Sequence, residues 1–195
     1  MARILYGVHG TGHGHAVRAL TITRHFPEHE FLFVSHDTGA AILGQEFPVE
    51  ECPNPPTIIR GHRVDVAATL IASLKVRCQA RRHLRQVLDL MDRFQPDVTM
   101  TDYEYFLPQA SRQAGVPCLS IDHQHVITCC RHPVPWTQYP SYLSTSYAVS
   151  SLFSRASDYL VISFFQAPVK PRARAKILPP LLRESVIERR PTLGD

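Results

Sequence analysis

Arg3-Ile4-Leu5-Tyr6-Gly7-Val8, followed after His9 by Gly10-Thr11-Gly12-His13-Gly14-His15-Ala16-Val17-Arg18, is the stretch on which the fold turns. A short apolar run that ends in closely spaced glycines, with helix-forming residues behind them, reads as a buried strand, a tight turn and a helix start. Small residues let the backbone turn sharply and approach a ligand. The free N–H groups and positive dipole end of the following helix suit an anion. The pattern Gly10-x-Gly12-x-Gly14 differs from G-x-G-x-x-G because His15 stands where a third glycine would close it. His13 and His15 place imidazoles in the turn itself, where they can act as a base or contact a phosphate.

Outward from this turn, short apolar runs alternate with helical stretches. Ala16–Phe26 reads as a helix, Glu30–Ser35 as the second strand, Ala40–Gly44 as a short helix and Pro48–Glu51 as a third strand. Between Val64 and Phe94, apolar residues (Val64, Ala67, Ile71, Leu74, Cys78, Leu84, Leu88, Met91) recur mostly at three- and four-residue steps, which predicts one long amphipathic helix. Asp97–Thr101 reads as the fourth strand, Leu107–Ala114 as a helix and Cys118–Ile121 as the fifth strand. His132–Pro140 is expected to be loop, Leu143–Ala156 helix and Tyr159–Ser163 the sixth strand. From Ala167 on, prolines alternate with Lys170, Arg172, Arg174 and Lys176, which suggests a domain exit. The expected fold is α/β: a Rossmann-like, doubly wound parallel sheet over residues 1–178, with 179–195 as a linker.

Composition agrees with a folded, soluble protein of one domain plus a short appendage: 195 residues, 44% apolar and 19% charged. The five cysteines are odd in number and lack C-x-x-C spacing, so reduced thiols in a cytoplasmic protein are expected rather than a disulfide framework. The apolar stretch at the N-terminus is too short for a signal peptide, and no run approaches the roughly 18 residues of a membrane span. The net charge of +4 permits phosphates or anionic lipid as partners and calls for no nucleic acid.

In an open parallel sheet, ligands sit beyond the carboxyl ends of the strands. There the sequence gathers Gly10, Gly12, His13, Gly14, His15 and Arg18 after strand one, and His36, Asp37 and Thr38 after strand two. Asp102, Glu104 and Tyr105 follow strand four; Asp122, His123 and His125 follow strand five; Ser163 and Phe164 follow strand six. A carboxylate near an imidazole can fix its tautomer, which makes Asp102 and Glu104 candidates to orient His15.

The turn Gly10–His15 with Ala16-Val17-Arg18-Ala19-Leu20 resembles the first glycine loop of GT-B glycosyltransferases of the MurG type. Gln95-Pro96-Asp97, Thr101-Asp102-Tyr103-Glu104, Gly115-Val116-Pro117 and Ser120-Ile121-Asp122-His123-Gln124-His125 are similar to a MurG-like branch of bacterial and archaeal glycosyltransferases. Leu178-Pro179-Pro180-Leu181-Leu182-Arg183 resembles that branch's crossing to its second domain. The resemblance implies half of a GT-B architecture, with the acceptor bound mainly here. The nucleotide-sugar donor would be held mainly by a C-terminal domain beyond this sequence. It implies no metal or cofactor, and a glycan or lipid-phosphate acceptor, with peripheral contact at the inner face of the membrane. His15 matches the family's loop histidine, associated with the reaction centre, so His15, Asp102 and Glu104 are the expected catalytic residues. Gly10, Gly12, His13, Gly14, Arg18, Asp122, His123 and His125 are the expected substrate contacts. The sequence departs from MurG in carrying Arg18 in place of proline and in adding His13, which leaves the identity of the base open. The chain alone is expected to be inactive.

Other readings of the same residues compete. Asp122, His123 and His125, with Cys129, Cys130 and His132 nearby, could hold a metal, although the spacing matches no common zinc signature. Arg77, Arg81 and Arg85, beside Lys75 and Arg82, form a stripe that is a solvated helix face or a patch for an anionic acceptor or membrane. Trp136, Tyr139, Tyr142 and Phe153 belong either to an apolar acceptor surface or to the core. An NAD(P)-binding oxidoreductase would use Asp37 on a ribose, but His15 crowds its third glycine position. A sugar-nucleotide epimerase of GT-B architecture and a non-catalytic module for phosphate ligands are the remaining alternatives.

Overall fold

The computed structural model describes residues 1–55, 59–60, 63–64, 71, 74, 76, 78–182 and 186. Its centre is a sheet of seven strands, all parallel. The strands are β1 (Arg3–Val8), β2 (Glu30–Ser35), β3 (Val49–Glu51), β6 (Val98–Asp102), β7 (Cys118–Asp122), β8 (Asp158–Ile162) and β9 (Ala175–Leu178). They lie in the order β3-β2-β1-β6-β7-β8-β9. A separate antiparallel pair joins β4 (Ile59–Arg60) to β5 (Arg63–Val64). The helices with described bounds are α1 (Gly14–Thr23), α2 (Asp37–Leu43), α3 (Ala80–Phe94), α4 (Leu107–Ala114), α5 (Val126–Cys129) and α6 (Tyr139–Leu152).

The two-residue period of a strand sends alternate side chains to opposite faces. From β1, Ile4, Tyr6 and Val8 pack with Ala16, Ala19 and Leu20 of α1 and Leu43 of α2. Leu5 faces the other way, onto Val87, Leu90, Met91 and Phe94 of α3 and Leu107 and Ala110 of α4. Both faces of the sheet are thus covered, which is why its central strands read as unbroken apolar runs. The winding reverses between β1 and β6: the chain builds β2 and β3 on one side of β1, then crosses over to continue on the other.

The structure departs from the sequence reading in three places. Val64 lies in β5, not in a helix running to Phe94. Farther along that proposed helix, Ile71 and Leu74 are helical, as expected, but their side chains are exposed. Ala67, Lys75 and Arg77 lie outside the described residues. The three-proline segment 132–140 is not all loop: Trp136–Gln138 forms a 3₁₀ turn that runs into α6, with proline accommodated in the first helical turn. Finally, the basic, proline-rich segment after Ala167 is not a pure exit. It forms β9, which pairs Tyr159–Ile162 with Ala175–Leu178. Ile177, Ala173 and Ala175 pack on a third apolar cluster with Val161 and Cys130.

Candidate functional site

The reversal of winding leaves a crevice between the carboxyl ends of β1 and β6, the position at which doubly wound sheets bind ligands. Register places Val8 opposite Asp102, and the His9 N–H donates to the Asp102 carbonyl at 3.0 Å. Helix α1 then folds back over the sheet. His15 and Arg18, three residues apart, share a helix face and both reach the Asp102 side chain.

Asp102 is fully buried and is the hub. Its Oδ1 accepts from His15 Nδ1 at 2.7 Å and from Arg18 Nη2 at 2.7 Å, and its Oδ2 accepts from Arg18 Nε at 2.7 Å. The Arg18 contact is a two-point fork, the strong geometry for a guanidinium and a carboxylate. Burial alone would lower the Arg18 pKa. The charge and hydrogen bonds of Asp102 outweigh burial and raise it above its ordinary value. His15 Nδ1 lies 2.7 Å from Asp102 Oδ1 and 3.2 Å from Arg18 Nη2. Since an ionised carboxylate only accepts, the shorter contact assigns the ring proton to Nδ1 and the lone pair to Nε2. Nε2 has no hydrogen-bond partner among the described residues.

Two more imidazoles stand around His15. His9 meets it edge to face with ring centroids 5.3 Å apart and meets His36 at 5.3 Å as well. Asn54 Nδ2 donates to His9 Nδ1 at 2.9 Å, while Asn54 Oδ1 accepts from the Tyr105 N–H. Those two bonds fix the Asn54 amide and hold His9 as the neutral Nε2–H tautomer. Burial, reinforced by the nearby His15 and His36, lowers the His9 pKa to about 3. In His36, Nε2 accepts from the Gly10 N–H at 3.1 Å and Nδ1 donates to Asp37 at 2.8 Å. Asp37 thus serves His36. Tyr103, left-handed at φ 57°, stacks on Phe153 with centroids 3.8 Å apart and closes the crevice behind His9 and His15.

The three glycines of the turn have different roles. At Gly10 a Cβ would lie 1.9 Å from the His36 carbonyl oxygen, so this glycine knits the first two loops together. Gly12 takes a left-handed φ of 82°, and a Cβ at Gly12 or Gly14 would meet nothing within 4 Å. Exposed His13 caps the start of α1 without a side-chain bond. This open wall of Gly12, His13 and Gly14 is the part of the turn free to meet a ligand.

Several expected site residues are otherwise engaged. Glu104 does not reach His15. Its carboxylate accepts from the amides of Phe106 at 2.8 Å and Leu107 at 2.5 Å and so caps α4. Burial raises its pKa to about 7 against the opposing pull of those amides. Asp122 is buried too. Its Oδ1 accepts from the His125 N–H, and its Oδ2 accepts from Ser120 Oγ and His125 Nδ1, each at 2.6 Å. Burial would raise the Asp122 pKa, but the hydrogen bond and charge of His125 outweigh it and lower the value. His125 packs at a tilt on Tyr159 and reaches Ser154, so buried Asp122 and His125 form an internal strut. His123 turns the other way. Its Nδ1 donates to the Ile162 carbonyl at 2.8 Å, which leaves Nε2 as an acceptor. It lines a groove of about 280 Å³ with Gly14, Val17, Arg18, Thr21 and Phe164. Thus His123 joins the cleft and His125 does not.

Of these features, His9, Asn54 and Tyr103 escape a reading of the sequence. His9 had a local signal, since it directly follows the central strand. Asn54 sits in an aperiodic segment among prolines, and nothing local ties it to β1.

A parallel sheet with its polar centre at the reversal point and a glycine turn leading into α1 defines a doubly wound, Rossmann-like α/β domain. The model of glycosyl transferase family 1 matches residues 2–195, and the chain belongs to that family. Among solved structures, Phytolacca americana UGT2, complexed with UDP-2fluoro-glucose and pterostilbene, is similar over 96% of this chain and 56% of that one, with a TM-score of 0.61 and 11% identity. A UDP-glucosyltransferase from Polygonum tinctorium is similar over 93% and 53%, with a TM-score of 0.58 and 12% identity. MurG from Acinetobacter baumannii is similar over 83% and 41%, with a TM-score of 0.50 and 14% identity. The chain therefore spans between 41% and 56% of the length of these structures. No curated protein sequence matches. The fold is that of GT-B glycosyltransferases. Among the described residues, no helix is long and apolar enough to cross a membrane.

Proposed function

We propose that this chain is the N-terminal, acceptor-binding domain of a nucleotide-sugar-dependent, inverting glycosyltransferase, with residues 179–195 leading to a donor-binding domain. The acceptor hydroxyl loses its proton to His15 Nε2 as its oxygen attacks the anomeric carbon. The bond from that carbon to the diphosphate breaks, and the nucleoside diphosphate leaves with the electron pair. Asp102 holds the ring with Nε2 outward and stabilises the imidazolium that forms. The observation that carries this reading is the 2.7 Å bond from His15 Nδ1 to buried Asp102. It gives one imidazole a fixed tautomer at the mouth of the crevice.

The groove between α1 and His123 takes the body of the acceptor. Its mixture of Val17, Ile162 and Phe164 with His123 and Arg18 suits a glycan or lipid-phosphate acceptor of the cell envelope. The open turn at Gly12–Gly14 faces the donor's diphosphate. The cationic face of α3, with Arg81, Arg82 and Arg85 around a surface hollow of about 720 Å³, supports peripheral contact with anionic lipid at the cytoplasmic side.

The test is transfer by the full-length gene product from a panel of UDP-, GDP- and dTDP-hexoses. His15→Ala is expected to lower turnover by at least about 10²-fold, within the range of a general base, with donor binding intact. Wild-type turnover in that variant would refute the assignment of the base. Epimerised donor without transfer would instead identify a sugar-nucleotide epimerase. Residues 1–195 alone are expected to show no transfer.

A further inference from the structure

A second cavity lies at the far end of the sheet from His15. Its wall is built from segments that precede three neighbouring strands: Gly115–Cys118 before β7, Ser154–Asp158 before β8 and Arg174 before β9, with Ser111 and Arg112 from the end of α4. Its volume is about 690 Å³. Three guanidinium groups, those of Arg112, Arg155 and Arg174, line it against a single carboxylate, that of Asp158. That carboxylate already accepts from Arg174 Nε at 3.2 Å. Arg112 and Arg155 have no ion pair among the described residues. A lone arginine at Arg112 is explained by the negative end of α4. Arg155 follows the end of α6, a second negative helix end, and neither end accounts for the two arginines lining one hollow.

The cavity also offers a neutral donor and a firm wall. The Cys118 N–H donates to Ser157 Oγ at 3.2 Å, so the Ser157 hydroxyl proton is left for a ligand. Beside Arg155, Ser154 is tied to His125 Nε2 at 3.2 Å, and His125 to Asp122 at 2.6 Å. Gly115, at φ 72°, turns the chain out of α4 through a bond from the Val116 N–H to the Ser111 carbonyl. Like charges gathered in a concave site raise the local concentration of anions, and guanidinium forks match the oxygens of a phosphate.

We propose that this cavity binds a small phosphate ester or diphosphate, gripped by Arg112 and Arg155 with Ser157 as the neutral donor. The site is separate from the His15 crevice and stands whether or not the chain acts in glycosyl transfer.

The probe is sodium pyrophosphate, followed by calorimetry and by amide shifts of Gly115 and Ser157 in nuclear magnetic resonance spectra of residues 1–195. The expected result is saturable binding that weakens at least tenfold in Arg112→Gln/Arg155→Gln and stays within twofold of wild type in Arg81→Gln/Arg85→Gln. Exposed arginines are replaced in both variants, so the fold is kept, and unchanged circular dichroism verifies it. Absence of binding, or an equal loss in both double variants, would overturn the proposal, the latter by showing charge attraction without a site. Vesicles of phosphatidylglycerol separate the sources of the phosphate. Sedimentation with vesicles that depends on Arg112 and Arg155 identifies a lipid headgroup as the ligand. Pyrophosphate binding without such sedimentation identifies a free phosphate compound.

Discussion

At the scale of single residues, Asp102 carries more than one duty, and its removal should be felt twice. Its carboxylate is fully buried and neutralises Arg18, whose side chain is only 18% exposed. Asp102→Asn keeps the shape but leaves a partly buried guanidinium without its counter-charge, so a loss of about 3 kcal/mol in urea unfolding is expected. Arg18→Met in the same chain removes the orphaned charge and should recover most of that loss. Additive losses in the double variant would mean that the pair is not coupled. Neither single-residue argument was fully available from the sequence. That the glycine–histidine turn and the Asp102 following strand four meet at one sheet edge was legible, because the ends of neighbouring parallel strands lie side by side. What the sequence could not say is which of two nearby carboxylates faces His15. Asp102 and Glu104 are two positions apart, but β6 ends between them. Left-handed Tyr103 turns Glu104 away to cap α4.

At the scale of elements, the joint between the first two loops depends on small residues in close contact. The Gly39 N–H donates to the Gly10 carbonyl at 3.0 Å, and a Cβ on either glycine would strike the opposite loop. Gly10→Ala should therefore cost several kcal/mol, at the severe end of single substitutions, on the order of 3 kcal/mol or more. Gly14→Ala begins a helix in open space and should be neutral or stabilising by up to about 1 kcal/mol. Chemical denaturation of both variants checks the contrast, and equal losses would show that the turn as a whole, not the Gly10 contact, sets the limit. The cap on α4 makes a pH prediction. Buried Glu104 has its pKa raised from 4.5 to about 7, so the folded protein binds this proton more tightly than the unfolded chain. Its contribution is fully present below about pH 4.5 and is lost as pH rises through about 7, a change on the order of 3 kcal/mol. His9, lowered from 6.5 to about 3, acts in the opposite sense, with stability present above pH 6.5 and lost as pH falls. The comparison that isolates Glu104 is wild type against Glu104→Gln at pH 5 and pH 8. The wild type should lose more stability over that interval, and parallel curves would remove Glu104 from the account.

At the scale of the whole molecule, β9 forms the edge of the seven-stranded sheet. Its sequence environment is proline-rich and basic, which is the composition of a linker, and periodicity over four residues is too short to speak for a strand. The reason to form it is tertiary. Without β9, β8 would be the open edge of an all-parallel sheet, with Tyr159, Leu160, Val161 and Ile162 unpaired along their backbone on that side. The segment leading to it also covers Cys130, through the bridge from Cys130 to Val169 and the hydrogen bond from the Arg131 N–H to the Pro168 carbonyl. Two truncations therefore separate linker from domain. A chain ending after Leu182 should unfold at the same denaturant midpoint as residues 1–195. A chain ending after Gln166 exposes the edge of β8 and the apolar surface of Val161, Cys129 and Cys130, and should lose several kcal/mol or aggregate on refolding, about 1.5–3 kcal/mol for each large apolar side chain uncovered. Equal midpoints for the two chains would place the end of the cooperative unit before Ala167 and make β9 an ornament on the sheet.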